Sequence, residues 1–283
     1  VSALDAQARR DLTPCPGGAM VWRTWGHGPP LVLLHGASGS WTHWLRNIPA
    51  LAGRFSVIVP DLPGFGDSDA PPEPHTVEVL ADAVVRGLDA VAPSAIELAG
   101  FSFGGIVAGH VAARLGRRVR ALVLFGAGGL GLPRAPTRPL VPLRPGMTPD
   151  EIERAHRENL GIVMIADPAR VDGLAMALQI ENLARARFRS GDIPTSDALL
   201  RALPSITARL VAIYSTRDAF VGPTLDERRR LLTGLRPDIE FRVLEGPGHW
   251  AIYEAADRAT AVLLDGLRPA EAAGPGPTPA AAV

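Results

Sequence analysis

A single cysteine, Cys15, leaves no partner for an intrachain disulfide. It precedes Pro16-Gly17-Gly18, far in sequence from any base, and reads as an incidental thiol. No Cys/His spacing suits a metal, so neither metal nor cofactor is expected. No apolar run approaches the roughly 20 residues needed to span a bilayer, so stable membrane insertion is not expected. Neither sign of charge is in excess: 29 Lys and Arg balance 29 Asp and Glu, which removes the electrostatic case for nucleic acid or an anionic membrane as partner. The densest basic run, Arg228-Arg229-Arg230, sits beside Asp226 and Glu227 and reads as a solvated helix face. Residues 1–11 are charged and lack an apolar signal core, so the expected location is cytoplasmic. A small molecule is the expected partner, and homodimerisation is left open.

What is present is ample core material. With 283 residues, 47% of them hydrophobic, the chain can fill one large α/β domain, or a core domain carrying an insertion. Apolar runs at 31–34, 57–59, 96–99, 121–125, 210–214 and 241–244 lack period-two alternation, as strands buried on both faces do. Helical patterns at 77–91, 104–115, 224–235 and 250–267 alternate with them. This predicts a mostly parallel, doubly wound sheet with helices on both faces, and residues 20–25 as an antiparallel edge strand.

The alternation stops at 128–204. Its first part is dense in Pro and Gly and excludes one long helix; after Pro149 the pattern turns helical at 150–159 and 168–187, with Asp167 as a cap. The expected organisation is a core of 1–127 and 205–267, a helical insertion at 128–204, and a disordered low-complexity tail at 268–283.

Gly100-Phe101-Ser102-Phe103-Gly104 lies between the strand 96–99 and a helix. A serine hydroxyl is a weak nucleophile until it is exposed, placed beside a base and faced by oxyanion donors. A strand–turn–helix elbow exposes Ser102, and Gly100 and Gly104 keep so tight a turn free of side chains. Among seven histidines, His249 is the candidate base, because it follows strand 241–244 at the sheet edge where Ser102 emerges. His35 reads as structural. Asp218, after strand 210–214, can orient the imidazole, although a turn aspartate paired with Arg217 is the plainer alternative. The loop after strand 121–125 offers no carboxylate. Oxyanion donors are expected from the backbone of Phe103 and of Ala37, and the Ser38 hydroxyl is a candidate substrate contact, with loop solvation the plainer alternative. Asp61 precedes the serine and reads as a turn residue. Bulky Phe101 and Phe103 beside the serine predict an apolar substrate.

Together, His35-Gly36, Asp61-Leu62-Pro63-Gly64-Phe65-Gly66, the Ser102 pentapeptide, Arg217-Asp218 and Gly248-His249-Trp250 resemble the α/β-hydrolase superfamily over residues 20–267. The resemblance implies cofactor-independent hydrolysis through Ser102, Asp218 and His249, with the insertion as a helical cap. Serine as nucleophile disfavours the dehalogenase and epoxide-hydrolase branches, which use aspartate. Arg46-Asn47-Ile48, Arg185-Ala186-Arg187-Phe188 and Gly248-His249-Trp250-Ala251 are similar to carbon–carbon bond hydrolases of aromatic-ring degradation. In that reading Arg187, or Arg185 one helical step away, holds a dienolate charge and Trp250 packs on the same substrate end; a place for both arginines on the cap's wet surface is the plainer alternative. One departure counts against it: Phe101 stands where that group carries asparagine. A carboxylic esterase is therefore the first reading, a carbon–carbon hydrolase the second, and a catalytically silent ligand-binding protein the alternative from another class.

Overall fold

The computed structural model describes residues 1–268. Arg9–Cys15 (β1) and Gly18–Trp25 (β2) form an antiparallel hairpin at one edge of an eight-stranded sheet. The first of these is absent from the hydrophobic pattern because it is an edge strand: Arg9, Arg10 and Pro14 are exposed, and Pro14 is tolerated where a ladder ends. β2 pairs antiparallel with the strand Ser56–Pro60.

The six apolar runs form the parallel part: β3 (Pro30–Leu34), β4 (Ser56–Pro60), β5 (Ile96–Phe101), β6 (Val119–Phe125), β7 (Arg209–Ser215) and β8 (Glu240–Leu244). Both faces are dry. Val32, Leu34, Leu98, Leu122 and Leu124 meet the helices Val77–Val91 and Phe103–Leu115; Leu31, Leu33, Val57, Val59 and Val123 meet Ile48–Ala52 and Ala256–Gly266. The strand order is β1-β2-β4-β3-β5-β6-β7-β8. The chain therefore reverses its direction of travel between β3 and β5, and the loops leaving those strands diverge to open a crevice at their C-terminal ends.

The predicted helix at 250–267 is two helices, Ala251–Glu254 and Ala256–Gly266, broken at Ala255 (φ −129°, ψ 50°). Among the described residues the stretch between β6 and β7 carries no strand. Pro149–Val163 starts in a capping box between Thr148 and Glu151. The helix expected at 168–187 divides into a 3₁₀ turn, Pro168–Arg170, capped by Asp167, and the helix Gly173–Ala184, capped by Asp172. Two aspartates five residues apart each offered a start, and both are used. The tail expected to be disordered lies, from residue 269 on, outside the described residues.

The insertion docks on the loops at the C-terminal ends of the parallel strands. Arg46 Nη2 meets Asp172 Oδ2 at 2.6 Å, Ser40 Oγ donates to Asn182 Oδ1 at 2.8 Å, and the Trp250 N–H donates to the Met164 carbonyl at 2.7 Å.

Candidate active site

Ser102 occupies the turn between β5 and the helix Phe103–Leu115, at φ +53°. A non-glycine residue there carries strain of order 1–3 kcal/mol, so its surroundings must hold it. They do: the Ser102 N–H donates to the Phe125 carbonyl of β6 at 2.8 Å. A side chain at Gly100 would come within 2.3 Å of the Gly104 carbonyl oxygen, and one at Gly104 within 2.3 Å of the His35 carbonyl oxygen. The elbow closes only because both flanking residues are glycine.

His249 Nε2 lies 2.8 Å from Ser102 Oγ, and His249 Nδ1 lies 2.7 Å from Asp218 Oδ2. Asp218 is 2% exposed and its second oxygen accepts the Phe220 N–H at 2.8 Å. A carboxylate beside Nδ1 requires the proton on that nitrogen and leaves Nε2 as acceptor for the serine hydroxyl. The imidazole lies against the Phe101 ring at 5.0 Å and meets Phe220 edge-on at 4.7 Å. Its loop is anchored from an unanticipated quarter: the Glu254 carboxylate accepts N–H groups from Gly248 (2.7 Å), Ala166 (2.9 Å) and Asp167 (2.8 Å). One side chain thereby ties the histidine loop to the insertion.

The oxyanion candidates fall beside the elbow. The Phe103 N–H opens a helix and has no helical acceptor. Among the described residues, the Ala37 N–H makes no hydrogen bond. Ser38, next to it, adopts φ +51°. Beneath this loop, His43 accepts the Gly36 N–H at Nδ1 (3.2 Å) and packs on Phe101 and Trp250. Burial, reinforced by neighbouring His35 and His249, holds the His43 pKa well below its ordinary value. The imidazole is therefore neutral, as an Nδ1 acceptor must be. Nothing in the spacing around His43 signalled this. His35 is structural, as expected: it is buried, its Nε2 accepts the Leu62 N–H at 2.9 Å, and Nδ1 lies 2.8 Å from the Gly36 carbonyl. Asp61 is likewise internal, paired with buried Arg23 at 2.9 Å and accepting the Trp41 N–H at 2.8 Å.

The remaining expectations need correction. Phe101 and Phe103 are 0% and 1% exposed: their rings fill the two cores below the elbow and present no surface to a substrate. Trp250 is fully buried, stacked on Tyr253 at 4.3 Å, with Nε1 donating to the His43 carbonyl at 3.1 Å. Arg187 is exposed, and its Nη2 donates to the Gly66 (3.2 Å) and Ser68 carbonyls of the Asp61 loop. The guanidinium is occupied by backbone oxygens, the ordinary fate of an arginine reaching across a loop. Conversely, Arg228 is not on a wet helix face. It is 4% exposed while Arg229 and Arg230 are exposed, because three consecutive helical residues point 100° apart and one must face inward. Arg228 lines the pocket that contains Ser102 and His249.

Comparison with known proteins agrees with this geometry. The family model of the alpha/beta hydrolase fold matches residues 29–162. The chain is 32% identical over 252 residues to a 2-hydroxy-6-oxononadienedioate/2-hydroxy-6-oxononatrienedioate hydrolase from Paraburkholderia phymatum, covering 84% of this chain and 86% of that protein. It is 34% identical over 286 residues to polyketide synthase ThaQ from Burkholderia thailandensis, but spans only 13% of that much longer protein. Among solved structures, the esterase RhEst1 from Rhodococcus sp. ECU1013 matches with a TM-score of 0.75 and 26% identity, over 92% of this chain and 98% of its own. With a serine elbow on a parallel sheet, and a relative matched along most of its length, the chain belongs to the α/β-hydrolase family.

Proposed function

We propose that this α/β-hydrolase is a serine hydrolase of small carboxylic esters. The observation that carries the proposal is the unbroken chain from Ser102 Oγ through His249 to Asp218, with contacts of 2.8 and 2.7 Å. Ser102 Oγ attacks the ester carbonyl while His249 Nε2 takes the hydroxyl proton, and Asp218 stabilises the imidazolium. The Phe103 and Ala37 N–H groups receive the oxyanion. His249 returns the proton to the leaving alcohol, and water, activated by the same histidine, hydrolyses the acyl-enzyme. The insertion at 128–204 serves as the roof and sets chain-length preference. No bound metal or cofactor enters this sequence of steps. A lone free cysteine suits a reducing cytoplasm; among the described residues no helix is long and apolar enough to cross a membrane.

The second reading, carbon–carbon cleavage of vinylogous diketones, draws on the named activity of the Paraburkholderia phymatum relative. Against it stand the occupied guanidinium of Arg187, the burial of Trp250, and Phe101 in place of an amide. A series of acyl esters of graded chain length, assayed beside a vinylogous diketone, separates the two. Ester turnover that disappears in Ser102→Ala, with poor diketone cleavage, supports the esterase. Efficient diketone cleavage, lost in Arg187→Ala, establishes the second reading instead. A folded protein that turns over neither substrate class, and binds them unchanged in Ser102→Ala, is a silent binding protein.

A further inference from the structure

We propose that Arg228 and Arg134 form an anion-binding end of the active-site pocket, so that the favoured substrate carries a carboxylate remote from the bond that is cleaved. This deepens the serine-hydrolase reading and rests on it. The pocket beside Ser102 and His249 is walled by Gly126, Ala127, Phe220 and Val221, and both arginines line it. Arg228 projects from the helix Leu225–Leu235 and is 4% exposed. Among the described residues no carboxylate lies within ion-pair distance of either guanidinium. The Arg228 Nε–H reaches Thr224 Oγ1 at 3.3 Å, and the guanidinium carbon lies 5.8 Å from the Tyr214 ring.

A buried guanidinium presents five donors and a full charge, and leaving it without a counterion is strongly unfavourable. Here Arg228 shares a pocket lining with Ser102 and His249. Arg134, exposed at the mouth, lies over the Phe220 ring at 4.7 Å, and the following residue is tied down where the Ala135 N–H donates to the Phe220 carbonyl at 3.3 Å. The free volume of about 30 Å³ admits one or two waters. A planar carboxylate matches the guanidinium fork. Both arginines line one small pocket; the carboxylate whose charge acts on Arg134 is Asp218, and its two oxygens are already taken by His249 and the Phe220 N–H.

The test compares isosteric ester pairs. Monoethyl glutarate against ethyl 5-methylhexanoate places the charge on the acyl side; 4-acetoxybutanoate against 4-methylpentyl acetate places it on the leaving-group side. In one pair the wild type should favour the anion in kcat/KM by roughly 10- to 100-fold, the effect of a charge-assisted bidentate contact. That ratio should collapse towards one in Arg228→Met and fall severalfold in Arg134→Gln. Arg228→Lys, which keeps the charge and loses the fork, should be intermediate, and it also serves if the methionine variant does not fold. No anion preference in either pair, or a preference unchanged by these substitutions, overturns the proposal. If the protein turns over none of the four esters, the serine-hydrolase reading fails separately. Glutarate binding, measured calorimetrically on wild type and Arg228→Lys, then decides the anion site: weakening by about tenfold supports it, and equal or absent binding sinks it.

Discussion

At the scale of single residues the site is a set of hydrogen bonds that fix tautomers. Asp218 is buried with both oxygens engaged, one by His249 and one by the Phe220 N–H. Asp218→Asn should leave the fold intact and present the wrong face of the imidazole, lowering kcat by roughly 10⁴; steady-state kinetics beside a circular-dichroism spectrum checks this. Ser102→Ala should lose turnover to a similar or greater extent with unchanged melting, because the hydroxyl contributes chemistry and little packing. The elbow itself is less forgiving. Gly104→Ala would drive a methyl into the His35 carbonyl, and soluble yield should fall sharply. At this scale the candidate triad was legible in the sequence, because its three residues are tied to strand ends and chain order. Phe101 and Trp250 were misread because neighbourhood in sequence does not tell which way a side chain points.

At the scale of elements, two polar residues bind the insertion to the core. Asn182 is 3% exposed and bonds Ser40 and Thr42, so the helix Gly173–Ala184 is latched to the loop that supplies the Ala37 amide. Asn182→Ala would leave those two hydroxyls bonded only to one another and to the Thr42 N–H, and should destabilise by about 1 kcal/mol. Chemical denaturation measures that loss, and KM should rise more than kcat falls. Glu254 does the same on the histidine side. Glu254→Gln keeps one acceptor oxygen of two, and it should loosen the 246–250 loop and lower kcat severalfold without changing chain-length preference. Neither residue carries a motif. Asn182 lies in the last turn of its helix and Glu254 ends a four-residue helix, so only their long-range partners reveal them.

The whole molecule should be sensitive to acid through its buried imidazoles. His35 and His43 are both fully buried, and burial holds each pKa below the ordinary value of 6.5. Below that pH the unfolded chain takes up protons that the folded chain refuses. Their contribution to stability is therefore full above about pH 6.5 and declines as pH falls towards their depressed folded values. Urea midpoints measured from pH 7.5 to 5 should fall, and the slope should flatten in His43→Gln. An equal slope in that variant would assign the acid sensitivity elsewhere.

The sequence by itself determined the layered α/β architecture and the strand-free stretch between β6 and β7, and it singled out Ser102, Asp218 and His249 as the candidate triad that the fold brings within hydrogen-bond distance. The architecture follows from local periodicity, Ser102 from glycines that a sharp turn requires, and Asp218 and His249 from their place after strand ends and their order in the chain. Tertiary structure alone decided what the rest of the site is made of. It put Phe101 and Trp250 beneath the histidine, occupied Arg187 with loop carbonyls, and turned Arg228 inward beside Ser102. The physical reason is that a side chain's environment is set by whatever packs opposite it. In this chain those neighbours come from segments up to about two hundred residues away, as between His43 and Trp250.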